Sequence, residues 1–391
     1  MNIAMGVRNF RAVGGAEKFT RRLAQHLSAA GHAVDVYAYT ADRQEGIALR
    51  TLSKPPLLPR AMRDWATGRG LSRALLASGT TVTFGEQKTW GADVIRPGGG
   101  VEDEYWIART RYAHLFGHPA GRYAHPKRYF DVRAEGNGYR HPALRRVIAN
   151  SRLMRDQLTA RYPGLVDKVE VIYNGVDEVT EPDAHRGARR KELSERHGLD
   201  PTAVWLLFVG HEFKRKGLRH ALGALAKGRA AGMNVRLLVV GRDRRAPYLR
   251  QCVRLGISDS VVFTGTVRDM DAYYAAADAL VLPTFYDPFA NVTIEALGAG
   301  LPIVTTRQNG AGELVDRTAG WVLDKPEAED VLVRVMAELA DERRRGAMSE
   351  AARAIAANHL LKDKMKEMEG VLLAVAEEKQ ARRSGASKAM K

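Results

Sequence analysis

The stretch VVFTGTVRDMDAYYAAADALVLPTFYDPFANVTIEALGAGLPIVTT, Val261–Thr306, decides how the whole chain is read. Three short runs rich in aliphatic and β-branched residues, VVFTG, ALVLP and LPIVTT, are separated by MDAYYAAAD and by EALGAG. Strand-sized apolar runs alternating with helical segments predict βαβ units and a parallel sheet. In such a sheet ligands bind beyond the carboxyl ends of the strands. The middle strand ends at Leu282, so Thr284–Ala290 falls on that edge and a helix begins near Ala290. The N–H groups of that helix's first turn, with its dipole, favour a phosphate. Asp287 and Glu295 stand on either side of the helix start. Were the intervening residues all helical, the two acids would lie about 12 Å apart along the axis. A nucleotide sugar folded over this start would present ribose to one acid and hexose hydroxyls to the other. The pair also fits a plainer pattern, with Asp287 capping the helix and Glu295 a solvated surface acid.

Upstream, VWLLFVG ends at Gly210, HEFKRKG leads into a helix from Leu218, and VRLLVVG ends at Gly241. The loops HEFKRKG, GRDRR, GTVRD, TFYDPFAN and TTRQNGAG therefore meet at one sheet edge, as in a doubly wound domain. Arg215 and Lys216 in the first of them can neutralise a diphosphate, Arg by forked hydrogen bonds and Lys as a point charge. Taken alone, a three-base loop is a weak signal and is more often a solvated turn. The first forty residues read as a second βαβ unit. Ile3–Met5 opens it, and a helix carries Phe19, Leu23 and Leu27. Gly31 sits at the helix C-cap, and Val34–Tyr39 forms the next strand. Gly14 and Gly15, at the start of that helix, would let backbone approach a phosphate from the opposite domain, or simply make a tight turn. RRVIANS and VEVIYNGVD return to strand patterning, and the charged segment Asp177–Arg190 reads as a boundary. Helical patterning closes the chain from about Ala328 to Lys379, and the Ser/Lys/Arg tail is expected to be disordered.

The chain has 391 residues, room for two domains of roughly 170–200 residues. Cys252 is the only cysteine, which excludes a disulfide framework and suits a reducing cytoplasm. The opening run Asn2-Ile-Ala-Met-Gly reads neither as a signal peptide nor as a membrane span. Net charge is +16, and residues 1–170 carry 27 Lys and Arg against 15 Asp and Glu. From Tyr105 to Arg161 there are 12 basic residues and 3 acidic ones. Nucleic acid, an anionic membrane surface, an acidic substrate or a solvated basic face would each account for this. No zinc knuckle, helix-turn-helix or RNP-like pattern accompanies the charge, so nucleic acid is not expected as a partner. Asp269-Met-Asp271 opens a helix and reads as a cap rather than a metal site. His114 and His118 lack a third ligand, and Gly98–Gly100 lacks the lysine of a P-loop. No metal is expected.

Together GGAEKFTRRLAQHLSAAGHAV, VIANS, VIYNGVD, FVGHEFKRKGL and the Val261–Thr306 block resemble glycosyltransferase family 4, over nearly the whole chain. Within the family the chain is most similar to the lipopolysaccharide core glucosyltransferases. The resemblance implies an α/β GT-B fold, two Rossmann-like doubly wound domains facing a central cleft. It implies an acceptor-binding domain over 1–176, a nucleotide-sugar-binding domain over 177–358, and a helix and basic tail over 359–391 returning toward the first. The activity implied is retaining transfer of a hexose from a nucleoside-diphosphate sugar, UDP favoured, to an anionic glycan or glycolipid. That places the protein on the cytoplasmic face of the inner membrane. A GDP-mannose-dependent lipid mannosyltransferase of the same fold is one alternative, and a basic nucleic-acid-binding protein is the alternative of a different class.

The family's Glu-x₇-Glu motif falls on Asp287 and Glu295. By this match Glu295 holds ribose hydroxyls and Asp287 contacts the donor sugar. Backbone N–H groups of Ala290, Asn291 and Val292 contact sugar and phosphate, and Arg215 and Lys216 form the diphosphate clamp. The backbone of Val267 reads the base, and Gly14 and Gly15 match the N-domain glycine pair. Two departures stand out: Asp287 is one methylene shorter than Glu, and VIRPGGG lacks the histidine many family members carry there.

Overall fold

The computed structural model describes residues 1–11, 15–55, 58–59, 61–113, 126–179 and 186–389. The chain forms two compact units. The first comprises Met1–Thr110, Pro119–Tyr173 and Lys362–Lys391; the second comprises Arg111–His118 and Asn174–Leu361.

Strands of the first unit are β1 (Asn2–Gly6), β2 (Asn9–Phe10), β3 (Ala33–Ala38), β4 (Thr40–Ala41), β5 (Ala48–Thr51), β6 (Val82–Glu86), β7 (Val94–Arg96), β8 (Arg146–Ala149) and β9 (Val169–Val171). Seven make a parallel sheet in the order β5-β3-β1-β6-β7-β8-β9, and β2 pairs separately with β4. The chain winds outward from β1 to β5, then returns to the other side of β1 at β6. The resulting switch point lies where Gly6 and Glu86 end their strands. A cavity of about 220 Å³ opens there, lined by Arg8, Glu86, Lys88, Arg96 and Gly99 among others.

The second unit contains β10 (Val204–Val209), β11 (Val235–Val240), β12 (Val261–Gly265), β13 (Ala279–Leu282), β14 (Ile303–Thr306) and β15 (Gly320–Leu323). All are parallel, in the order β12-β11-β10-β13-β14-β15. Helices on both faces bury the strands twice over, which is why they read as continuous apolar runs rather than alternating ones. Leu206, Phe208, Val239 and Val281 are buried with Leu222 and Leu225 of the Leu218–Ala230 helix. Here the winding reverses between β10 and β13, so the loops after Val209 and Leu282 flank the crevice. The expected doubly wound α/β architecture is present in both units.

The long helix Leu361–Ala389 counts with the first unit from Lys362 onward. Met365, Met368, Leu372 and Val375 form its buried stripe. Glu369 accepts hydrogen bonds from His26 (2.8 Å) and His32 (2.9 Å), and Lys379 pairs with the buried Asp93 at 2.7 Å. The expectation of a disordered tail beyond Lys379 is corrected: the helix runs on through Arg382, Arg383 and Ser384 to Ala389. Propagating an existing helix adds one hydrogen bond per residue without a new nucleus, and no proline interrupts this segment.

Candidate functional site

The loop between β10 and the Leu218–Ala230 helix is anchored by Phe213, fully buried edge-on to Phe208 (5.9 Å) and Tyr248 (5.7 Å). Gly217 follows with φ +78°, and a Cβ there would meet the Pro283 carbonyl oxygen at 1.9 Å. Only glycine lets the loop lie so close to the end of β13. The Arg215 carbonyl then accepts from Phe285 N–H (2.8 Å) and Thr284 Oγ1 (3.0 Å). This seam, at the switch point of the second sheet, brings the two cations onto Asp287.

Lys216 Nζ lies 2.5 Å from Asp287 Oδ2, and Arg215 Nη1 donates to the same oxygen at 2.9 Å. Arg215 also reaches the Tyr286 carbonyl at 2.7 Å and Glu212 at 2.8 Å. The Phe289 N–H donates to Asp287 Oδ1 at 3.2 Å. Burial alone would raise the Asp287 carboxyl, but Lys216 and Arg215 outweigh it and hold it below its ordinary range, so it is a carboxylate. The site is therefore a buried cluster of two cations on one anion, not a bare clamp beside a separate acid. The plainer reading, Asp287 as a helix cap, does not hold.

The helix itself spans Asn291–Gly298 with Ala290 at its N-cap. Asp287 precedes it in the loop, so the axial separation expected for an all-helical segment does not apply. A second correction concerns the amides. Ala290 N–H is taken by Asn309 Oδ1 at 3.0 Å, which leaves Asn291 and Val292 as the first-turn donors without an intrahelical acceptor.

Asn309 was not singled out in the sequence, although its loop was. It is 1% exposed, accepts from Ala290 and Ala311, and donates to Thr293 and Thr305 at 3.0 Å each. These four bonds use the full capacity of an amide side chain. Asp287 and Asn309 also pair through backbone, with Asp287 N–H to the Gln308 carbonyl and Gly310 N–H to the Asp287 carbonyl. The one hint in sequence was an Asn-Gly step just after a buried strand.

Glu295 is half-buried rather than solvated and accepts from Tyr274 Oη at 2.9 Å. Burial first, then the facing Glu295, push the Tyr274 hydroxyl well above its ordinary value, so it stays a donor. Asn174 Nδ2 donates to Asn291 Oδ1 at 2.6 Å, fixing the first helical residue. Val267 lies in the loop between β12 and the Met270–Ala276 helix, on the same sheet edge. Asp269 caps that helix through the Ala272 N–H at 3.1 Å, as its position suggested. Gly15 is the first residue of the Gly15–Ala29 helix in the other unit, and Gly14 lies outside the described residues. Among the described residues, no three His, Cys, Asp or Glu are grouped to hold a metal ion, and no helix is long and apolar enough to cross a membrane.

Known families match both units. Residues 13–179 match the model of Glycosyltransferase Family 4, and residues 203–342 match that of the group 1 glycosyl transferases. Two glycosyltransferase family models thus match, one in each half of the chain. Among the chain's relatives is the lipopolysaccharide glucosyltransferase WaaG of Escherichia coli K12, 32% identical over 149 residues, 38% of this chain and 40% of that one. The chain spans about half the length of the first curated relatives it matches. The crystal structure of WaaG superposes with a TM-score of 0.77 at 21% identity, covering 95% of this chain and 99% of the other. Anabaena HepE, in complex with UDP-glucose, superposes at 0.68 with 18% identity, covering 96% and 99%. These similarities establish the GT-B fold.

Proposed function

We propose that this protein is a retaining glycosyltransferase of family 4 that moves a hexose from a nucleoside-diphosphate sugar, UDP-sugar favoured, to a glycan or glycolipid of the lipopolysaccharide core or a related anionic envelope glycan. The observation that carries the donor half is the Lys216–Asp287–Arg215 cluster beside the Asn291–Gly298 helix start, at the switch point of the second sheet. The two family-model matches and the UDP-glucose bound to HepE support it. The acceptor half rests on the likeness to WaaG and on the basic excess of residues 1–170. That excess also suits attachment to an anionic membrane on its cytoplasmic face.

In the proposed reaction the bond from the anomeric carbon to the diphosphate oxygen breaks. The acceptor hydroxyl bonds from the same face, and its proton passes to the departing diphosphate. Charge thus grows on the diphosphate, where Lys216, Arg215 and the Asn291 and Val292 amides would meet it. Asp287 keeps both cations in place and would face the sugar; Glu295 would take the ribose hydroxyls, with Tyr274 fixing its carboxylate. No metal takes part, since cations of the chain already serve the diphosphate. Donor hydrolysis measured with UDP-, GDP- and ADP-hexoses, each with and without chelator, tests this. A clear rate with one donor, unchanged by chelator, is expected. No turnover of any donor would overturn the transferase reading, and loss with chelator restored by Mg²⁺ or Mn²⁺ would overturn the metal-free one.

Glu295→Ala separates ribose binding from chemistry. Loss of a hydrogen bond to a charged group is worth about 1.5–3 kcal/mol, so donor Kd is expected to rise about tenfold or more. Turnover at saturation should change far less, because the ribose lies away from the reacting carbon. Donor titration and saturated rates check both; an unaltered Kd removes Glu295 from the donor site.

A further inference from the structure

The basic excess of the first unit is unevenly placed, and the unevenness points to a ligand. The helix Glu102–Ala113 starts with three acids, the first two of which serve different neighbourhoods. Glu102 joins a cluster in which the exposed Arg8 and the less exposed Lys88 and Lys127 meet Asp64, Glu102 and Asp131, with Lys88 at 2.8 Å from Glu102 and Lys127 at 2.7 Å from Asp131. Cations and anions balance there.

Asp103, the next residue, faces a groove of about 440 Å³ lined by Arg128, Tyr129, Arg133, Arg140 and Arg161, with Asn137 and Val132. Four guanidinium groups share this groove with a single carboxylate. Asp103 accepts from Arg128 at 2.6 Å and from Arg161 at 2.9 Å, so it orients two forks while cancelling only one charge. Arg140 and Arg161 lie 5.1 Å and 5.3 Å from the buried Tyr162 ring, both held by cation–π attraction. A Cβ on Gly136 would come within 2.6 Å of Arg140 Nη1; glycine there keeps room for the guanidinium folded against the helix. Arg133, Asn137 and Arg140 follow at helical spacing on one face, and Arg133 and Arg140 are exposed.

We propose that this groove binds a phosphate monoester. Several pre-oriented guanidinium forks suit the oxygens of a compact dianion, whereas a hydroxyl-bearing sugar would leave the cationic excess uncompensated. The phosphate could be carried by a phosphorylated acceptor sugar or by a lipid headgroup. The first source rests on the anionic-acceptor reading above, while the site itself does not. The apolar and aromatic rim of Val132 and Tyr129, the latter 62% exposed, can cover the uncharged part of either carrier.

The test uses the full chain and Arg133→Ala/Arg140→Ala, with Arg250→Ala/Arg254→Ala as an equal loss of charge on the other unit. Calorimetric titration with glucose 6-phosphate and flotation with phosphatidylcholine vesicles, with or without phosphatidic acid, are run on each. Loss of two charge-assisted contacts should weaken the responsive probe by about tenfold or more in the groove variant alone. Arg133→Lys/Arg140→Lys should recover only part of it, because Lys lacks the fork. Weakened glucose 6-phosphate binding identifies a sugar phosphate; a change confined to phosphatidic acid vesicles identifies a lipid headgroup. Equal behaviour of wild type and groove variant in both arms overturns the proposal, as does an equal loss in the control variant. UDP-hexose hydrolysis, which belongs to the second unit, is measured alongside. Its absence in the wild type would count against the transferase reading and leave the phosphate site standing.

Discussion

Lys216→Ala is expected to lower saturated turnover by roughly a hundred- to thousandfold, the usual effect of removing one electrostatic contact made to charge that grows in the transition state. Donor Kd should move much less, since Arg215 and the Asn291 and Val292 amides still hold the diphosphate in the ground state, while Lys216 chiefly meets the charge added as the bond breaks. Asp287 retains Arg215 as a partner at 2.9 Å, so the loop keeps half of its ionic seam. Thermal unfolding separates the catalytic effect from any loss of fold, because the rate is read on the folded fraction. A variant whose kcat falls no further than its donor affinity would reduce Lys216 to scaffold.

Asp287→Asn is expected to act chiefly on stability and on the response to nucleotide. The substitution keeps the shape but leaves Lys216, 7% exposed, and Arg215 without their carboxylate. Breaking a buried ion pair by removing one partner costs about 3–5 kcal/mol. If, as proposed, UDP places its diphosphate on the same two cations, it should raise the melting temperature more in the variant than in the wild type. The pH dependence has a definite sign. The folded-state pKa of Asp287 is depressed, so its contribution is present above the ordinary carboxylate range and is lost as pH falls through the folded value. The stability gap between wild type and variant should therefore be wide at neutral pH and narrow in acid. Denaturant melts at several pH values, with and without UDP, check this. Equal melts and an equal UDP response would mean that the pair carries no stability and is not where the diphosphate binds.

Much of this protein was legible before any coordinates. Parallel strands covered on both faces must be apolar along their whole length, and Val204–Val209, Val235–Val240 and Ala279–Leu282 are. Loops at the carboxyl ends of such strands gather at one edge whatever their details, so HEFKRKG and TFYDPFAN were expected on a shared edge from the alternation of strands and helices. The Asp269 cap and the Gly31 turn were equally local, set by side chains a few residues away. What local pattern could not supply was the pairing within that edge. Asp287 meets Lys216 across 71 positions, and Asn309 takes the Ala290 amide from 19 positions away. Those contacts exist because Gly217 passes against Pro283 and because an Asn beyond β14 points back at the helix start. The helix past Lys379 escaped for a related reason: composition speaks for an isolated segment, whereas this one extends a helix already nucleated and packed by Met368, Leu372 and Val375. Sequence by itself determined the layers, the winding and the edge where ligands belong, since these follow from periodicity and chain order. Only the tertiary structure decided which charges neutralise each other there and which amides stay open, since those depend on distances of a few ångströms between residues far apart in the chain.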